Sequence, residues 1–249
     1  MGSRATATSM PVSYEFIFGD GRTKKFSVDP QRSSNGSAGV DEAGGKATAQ
    51  LGMEWTQLGH CQCTNCPLGR AQRPQCPAAV DIHPVVSAFR SEPAFQKVMV
   101  RVSTEGRVYE KQTGLEEGLR SLLGLIMATS DCPILAELKP MATHHMPFAS
   151  ADEFIMRSVS LYLLEQYFRQ RDHQTPDWEL KGLVARNQRL QLVNQALWQR
   201  IHSICEGDSN LKALLSFFSM ASSVSFSLES QLQKLKAKLD QERSSVPFG

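Results

Sequence analysis

The residues best equipped for chemistry are four cysteines in one short stretch. His60-Cys61-Gln62-Cys63-Thr64-Asn65-Cys66-Pro67 is followed by Cys76-Pro77. Cys63 and Cys66 form a C-x-x-C pair, a spacing at which one turn presents two thiolates to the same ion. Cys76 follows at a distance that lets its loop bring back a third sulfur. A closed tetrahedral site needs a fourth donor, and three candidates stand open. Cys61 is near, but C-x-C is a tight bite for one ion. His60 could serve through its imidazole. Cys132 is remote, yet like Cys66 and Cys76 it is followed by proline. Proline after a ligand removes a backbone donor and turns the chain away from the site. Small buried hydrophobes are the plainer reading of cysteines, but a cluster this dense in a polar loop fits metal ligation better. Ligand softness makes zinc the expected ion, with an iron–sulfur cluster as the alternative. Cys205 falls on an apolar helix face and reads as core.

A weaker constellation is the loop Pro140-Met141-Ala142-Thr143-His144-His145-Met146-Pro147-Phe148. His144 and His145 could form a second site, ligating a metal or moving protons beside Asp131, Asp152 and Glu153. Adjacent side chains point apart, however, and no H-E-x-x-H motif is present, so a histidine bonded to loop backbone is the simpler reading. Arg169, Arg171, Lys181, Arg186, Arg189 and Arg200 are interleaved with acids, which describes a solvated helix face rather than a nucleic-acid surface. No phosphate-binding loop, dinucleotide fingerprint or nucleophile elbow occurs.

The elements that must position these groups change character along the chain. Residues 14–18 and 24–28 are strand-like runs around Gly19-Asp20-Gly21, a turn that tolerates positive φ. Tyr14, Phe16 and Phe18 share one face. Residues 97–103 and 107–111 make a second hairpin around Glu105-Gly106, expected to join the first in one antiparallel sheet with Val98, Val100 and Val102 inward. A short helical stretch is expected over 84–90. From Gly114 the period becomes helical: 115–129 carries Leu119, Leu122, Leu123, Ile126 and Met127 on one stripe. Residues 153–171 are apolar on most faces, which predicts a central helix. Thr175-Pro176-Asp177 signals the start of a helix running to about 205, with Asn187 and Asn194 near its stripe and in need of partners if buried. Helices over 211–221 and 225–242 complete a bundle. In the last, Leu228, Leu232, Leu235 and Leu239 form a heptad-like seam, too short for a free-standing coiled coil but able to serve a homodimer contact.

The organisation expected is therefore a leader over 1–13 and a β-rich part over 14–113. That part holds a flexible stretch at 33–50 and the cysteine loop at 60–77. A helical bundle follows over 114–243, and a tail over 244–249. The fold class is α+β. The 249 residues, 41% apolar and 21% charged, suffice for one large core or two small ones. A net charge of +2 gives no global attraction to nucleic acid or to an anionic membrane. No apolar run approaches the roughly 18 residues of a membrane span. The first residues lack the apolar core of a secretory signal, so a cytoplasmic chain with free thiols is expected.

Several of these runs together resemble an uncharacterised bacterial family, a domain of unknown function. The resemblance is carried by Asn65-Cys66-Pro67-Leu68, Cys76-Pro77, the stretch from Leu122-Leu123-Gly124 to Cys132-Pro133, the loop from Pro140-Met141 to Pro147-Phe148-Ala149, and Tyr162-Leu163-Leu164 to Gln166-Tyr167-Phe168. It spans 14 to about 215. It implies a bacterial source and a cysteine set of Cys63, Cys66, Cys76 and Cys132, with Cys61 an extra and 33–50 an insertion. It implies no activity. The expectation that results is a zinc-stabilised, non-enzymatic scaffold or adaptor that binds another protein. A metalloenzyme or iron–sulfur redox protein is the competing expectation.

Overall fold

The computed structural model describes residues 10–32, 52–204, 212 and 228–244. Cys205 and the 33–50 stretch lie outside the described residues, as does the helix expected over 211–221 except for Lys212. Four strands form one antiparallel sheet in the order β2-β1-β3-β4. They are β1 (Val12–Phe18), β2 (Thr23–Val28), β3 (Lys97–Thr104) and β4 (Arg107–Gly114). Both expected hairpins are present, and they join where β1 pairs β3, Phe16 opposite Val100. Gly21 and Gly106, at φ 85° and 72°, turn the two hairpins.

The period of two in the sequence decides which face is inside. Val12, Tyr14, Phe16 and Phe18 of β1 and Val98, Val100 and Val102 of β3 are buried. Glu15 turns the other way and pairs with Lys25 and Arg101 on the neighbouring strands. The inner face is covered by α1 (Pro77–Phe89) and α2 (Leu115–Ala128). Phe89 of α1 meets Phe16 and Phe26 at ring separations of 5.0 and 5.5 Å. Helix α2 lies so close to the sheet that a Cβ on Gly118 would come within 2.7 Å of the Phe16 ring and 2.9 Å of a Val100 methyl.

Helix α1 is longer than the stretch expected over 84–90. Pro77 sits at its first turn, where a missing N–H costs nothing, so a residue that reads as a breaker is the start. After α2 the chain makes a 3-10 turn (Leu135–Leu138) and the short α3 (Lys139–Thr143). Helix α4 (Ala151–Arg171) begins with a reciprocal capping box between Ser150 and Glu153. It is not the central helix its apolar content predicts. Ile155 and Val159 are buried, but Leu164, Tyr167 and Phe168 are about half exposed, at 50%, 45% and 54%. The central position belongs to α2.

Helix α5 (Lys181–His202) starts later than the Thr175-Pro176-Asp177 signal predicts. A turn ending in Leu180, at φ 60°, intervenes. The Asp177 carboxylate still reaches the helix, accepting the Gly182 amide at 2.7 Å and the Tyr162 hydroxyl at 2.7 Å. The capping signal is genuine but acts across the turn. Asn187, as a buried amide should, finds a partner in the Leu183 carbonyl at 2.9 Å. Asn194 is also buried, and its side-chain amide has none among the described residues.

Helix α6 (Leu228–Ser244) follows. Its Leu228, Leu232 and Leu235 pack with Ile155, Val159 and Leu183 in a small second cluster, while Leu239 is 43% exposed. The main core is continuous from the sheet through α1 and α2 to Leu190, Val193, Leu197 and Ile201 of α5. Among the described residues no helix is long and apolar enough to cross a membrane.

Candidate metal centre

The cysteine loop is closed at its neck by a short antiparallel pairing. Gln57 bridges Gln75, the Leu58 amide bonds the Pro74 carbonyl, and the Cys76 amide bonds the Thr56 carbonyl, the last two at 2.7 Å. Within the loop the Cys66 amide bonds the Cys63 carbonyl at 3.1 Å, the tight turn expected of a C-x-x-C pair. Cys76 stands immediately before α1. Cys132 stands just after α2, where the Ala136 amide bonds its carbonyl and a new helical turn begins. Both Cys-Pro pairs therefore open a helical turn.

Further bonds tie the loop to distant elements. The Asn65 amide donates to the Arg189 carbonyl at 3.0 Å, and Arg73 lies 3.9 Å from Asp131. Cys63 and Cys66 are partly buried against the main core, and Cys76 and Cys132 are buried in it.

The thiols sense one another. Burial, and after it the neighbouring Cys76, Cys132 and Cys66, push the Cys63 thiol up to about 12. Burial also raises Cys76, with Cys66 adding to it, while the amides of Ala79 and Ala78 favour its thiolate. Cys132 is raised by burial and by Cys76 and Cys66, against the amides of Leu135 and Ile134. Each of the four thus lies within electrostatic range of the other three. Backbone amides aimed at two of the sulfurs suit their ionised form. The four are within range rather than at ligand spacing. Among the described residues no three His, Cys, Asp or Glu side chains are already spaced to clasp an ion.

Arg200 is the member that sequence reasoning missed. Expected on a solvated face, it is only 1% exposed. Its guanidinium donates to the carbonyls of Trp55 and Gln57 at 2.7 Å and of Leu58 at 3.1 Å, in the segment that closes the loop. Among the described residues it has no carboxylate partner, and its Nε has no acceptor. It favours the thiolates of Cys63 and Cys76. The signal was available in the spacing: Arg200 falls three residues after Leu197 and four before Ile204, on the inward stripe. Arg186, likewise expected in solvent, is buried beside the Tyr162 ring at 5.6 Å.

The remaining candidates are elsewhere. His60 is bonded to Ser203 at 3.1 Å in an exposed position. Cys61 is partly buried at φ 50°. His144 is exposed and ends α3. His145 is partly buried, with Nε2 2.6 Å from the Tyr14 hydroxyl, which is itself 2.7 Å from Ser121 Oγ. His144 is exposed, whereas His145 is bonded inward to Tyr14.

An α+β chain whose cysteine loop is drawn against its helical part is the class that fold and site define. Residues 12–240 match the model of a family described as a domain of unknown function, DUF6901, and the chain belongs to that family. No curated protein and no solved structure matches it.

Proposed function

We propose that this protein is a scaffold stapled by a zinc ion held by Cys63, Cys66, Cys76 and Cys132, that it is not an enzyme at that centre, and that it serves by binding another protein. The observation that carries the reading is the mutual influence of four thiols drawn from three separate places: the loop, the start of α1 and the end of α2. Four thiolates around zinc leave no open position for a substrate, which is the mark of a structural site. Zinc with four thiolates carries a net charge of −2, and buried Arg200 supplies a cation beside it. The aromatic run at the end of α4, with Tyr167 and Phe168 exposed, is the surface offered to a partner. The reducing cytoplasm of a bacterium suits five cysteines that are free in the described chain.

Elemental analysis of protein purified without added metal tests the reading. One zinc per chain in a colourless protein, with a melting temperature that collapses on chelation, is the expected result. A brown protein with broad visible absorbance would replace zinc by an iron–sulfur cluster on the same thiols and turn the function toward redox chemistry. A melting temperature indifferent to chelation would remove the staple altogether.

A further inference from the structure

A second site stands apart from the cysteines, where α2 faces α3 and the start of α4. A cavity of about 80 Å³ opens there. Its walls are apolar, with Leu125, Leu138, Met141, Met146 and Phe148 prominent. Its polar groups are Arg157, Ser121, His145 and Arg120, the last also 3.6 Å from Glu117, and among the described residues no carboxylate lines it.

The hydrogen bonds at its base form a chain. The Phe148 amide donates to Ser121 Oγ at 3.2 Å. That hydroxyl lies 2.7 Å from the Tyr14 oxygen, and the Tyr14 hydroxyl lies 2.6 Å from His145 Nε2. Burial keeps the Tyr14 phenol protonated, and burial also keeps the His145 ring neutral. The protonated phenol either donates to Nε2 and accepts from Ser121, or donates to Ser121 and accepts from Nε2–H. In the first arrangement the neutral imidazole carries its hydrogen on Nδ1, for which the described residues supply no acceptor. Arg157 uses Nη2 alone to hold the carbonyls of Met141 and His144, at 2.9 and 2.6 Å. Its Nε and Nη1 have no hydrogen-bond partner among the described residues. The cavity therefore presents donors and positive charge against apolar walls.

We propose that this cavity binds a small monocarboxylate with an apolar tail, the carboxylate held by Arg157 and His145 Nδ1–H and the tail by the α2–α3 wall. The proposal is independent of the metal centre. Size limits the ligand: a water occupies roughly 10–15 Å³ on the same scale, so the cavity takes about five to eight heavy atoms. Short aliphatic or simple aromatic acids fit this bound, and long-chain acids exceed it. A carboxylate also matches the planar donor fork of arginine.

Calorimetric titration of the full chain with hexanoate, hexan-1-ol and hexylammonium tests it. The three share a tail and differ in the head. Hexanoate should bind saturably and roughly tenfold or more tighter than the alcohol, with the ammonium weakest. Arg157→Gln should weaken hexanoate about tenfold or more and leave the alcohol unchanged. Arg120→Gln, which spares the bonds that Arg157 makes to loop carbonyls, gives a second charge-removing variant if Arg157→Gln does not fold, and it should lower the preference for hexanoate over hexanol. Ala128→Leu should fill the cavity and abolish both. Hexanol or hexylammonium binding as tightly as hexanoate would overturn the proposal. So would hexanoate affinity unmoved by either arginine variant, or no saturable binding of any probe up to about 10 mM.

Discussion

The cysteine loop and the His145 cavity both lean on α2, but they satisfy their polar groups in opposite ways. At the base of the cavity Phe148, Ser121, Tyr14 and His145 are joined by hydrogen bonds within the chain, with the imidazole neutral, while Arg157 and the far nitrogen of His145 are left for the proposed ligand. At the cysteine loop the polar atoms are not matched. Four thiols lie within range of one another, burial opposes the ionisation of Cys63, Cys76 and Cys132, and the buried Arg200 beside them has no carboxylate partner among the described residues. A network of this kind holds itself through hydrogen bonds, whereas the clustered thiols would ionise around a cation from outside, as proposed. The first region should therefore respond to protons and the second to metal.

The largest expected effect breaks the second region. Cys132→Ser, or chelation of the wild-type chain, should cost more than about 4 kcal/mol, because a structural zinc site contributes its binding free energy to folding. Urea unfolding with and without chelator measures this. If Cys132→Ser matches a surface substitution in stability, the loop stands by packing alone and the contrast between the two regions disappears.

Next in size is Arg200→Met. It removes bonds to three carbonyls and the cation nearest Cys63 and Cys76, and should destabilise the chain by about 3 kcal/mol. Loss of a nearby positive charge should also weaken zinc by about tenfold in a competition titration with a coloured chelator. Destabilisation without any change in zinc affinity would make Arg200 a loop clamp and not a counter-ion.

The cavity supplies the third prediction. Burial, and then the Arg157 charge, lower the His145 pKa to about 3. In the unfolded chain the ring takes up a proton near pH 6.5. Below that pH the unfolded state binds more protons than the folded one, so stability is complete above about 6.5 and is lost as pH falls toward 3. Between pH 7 and 5 the loss should be about 1–2 kcal/mol. This window lies above the range in which carboxylates titrate. His145→Gln should flatten the slope in denaturant midpoints taken at each pH. An unchanged slope would show that the ring is not the group being held neutral.

How much of this could be read beforehand differs between fold and site for physical reasons. The sheet was legible because alternation in β1 and β3 has one solution: Tyr14, Phe16 and Phe18 must share a face, and Val98, Val100 and Val102 must oppose them. The run of α2 was legible from its stripe. The place of α4 was not, because apolar content measures how much a helix could bury and not what lies opposite, and Leu164 and Phe168 face outward. The boundaries at Pro77 and Leu180 were missed for a related reason: proline can start a helix as well as end one, and a capping carboxylate can reach over a turn. The thiols could be nominated from spacing, whereas Arg200 and the Tyr14–Ser121–His145 chain join residues over 100 positions apart, which local pattern does not encode. Arg200 shows in addition that a charged residue on an apolar stripe should be read as buried until shown otherwise.

The smallest expected effect decides the membership of the cysteine set. Cys61 is two residues from Cys63, and proximity in sequence makes it the natural rival of Cys132. Its backbone lies in the left-handed region, at φ 50°, and its thiol is partly exposed, whereas Cys132 is buried in the main core. The influences that raise Cys63 name Cys76, Cys132 and Cys66. A ligand lost from a four-thiolate site would cost several kcal/mol, but a partly exposed thiol outside it should cost less than about 0.5 kcal/mol. Cys61→Ser should therefore leave zinc stoichiometry and affinity as they were and shift the urea midpoint hardly at all. Loss of zinc in this variant, with retention in Cys132→Ser, would move the site wholly into the loop. The metal would then fold one loop rather than fasten that loop to the end of α2.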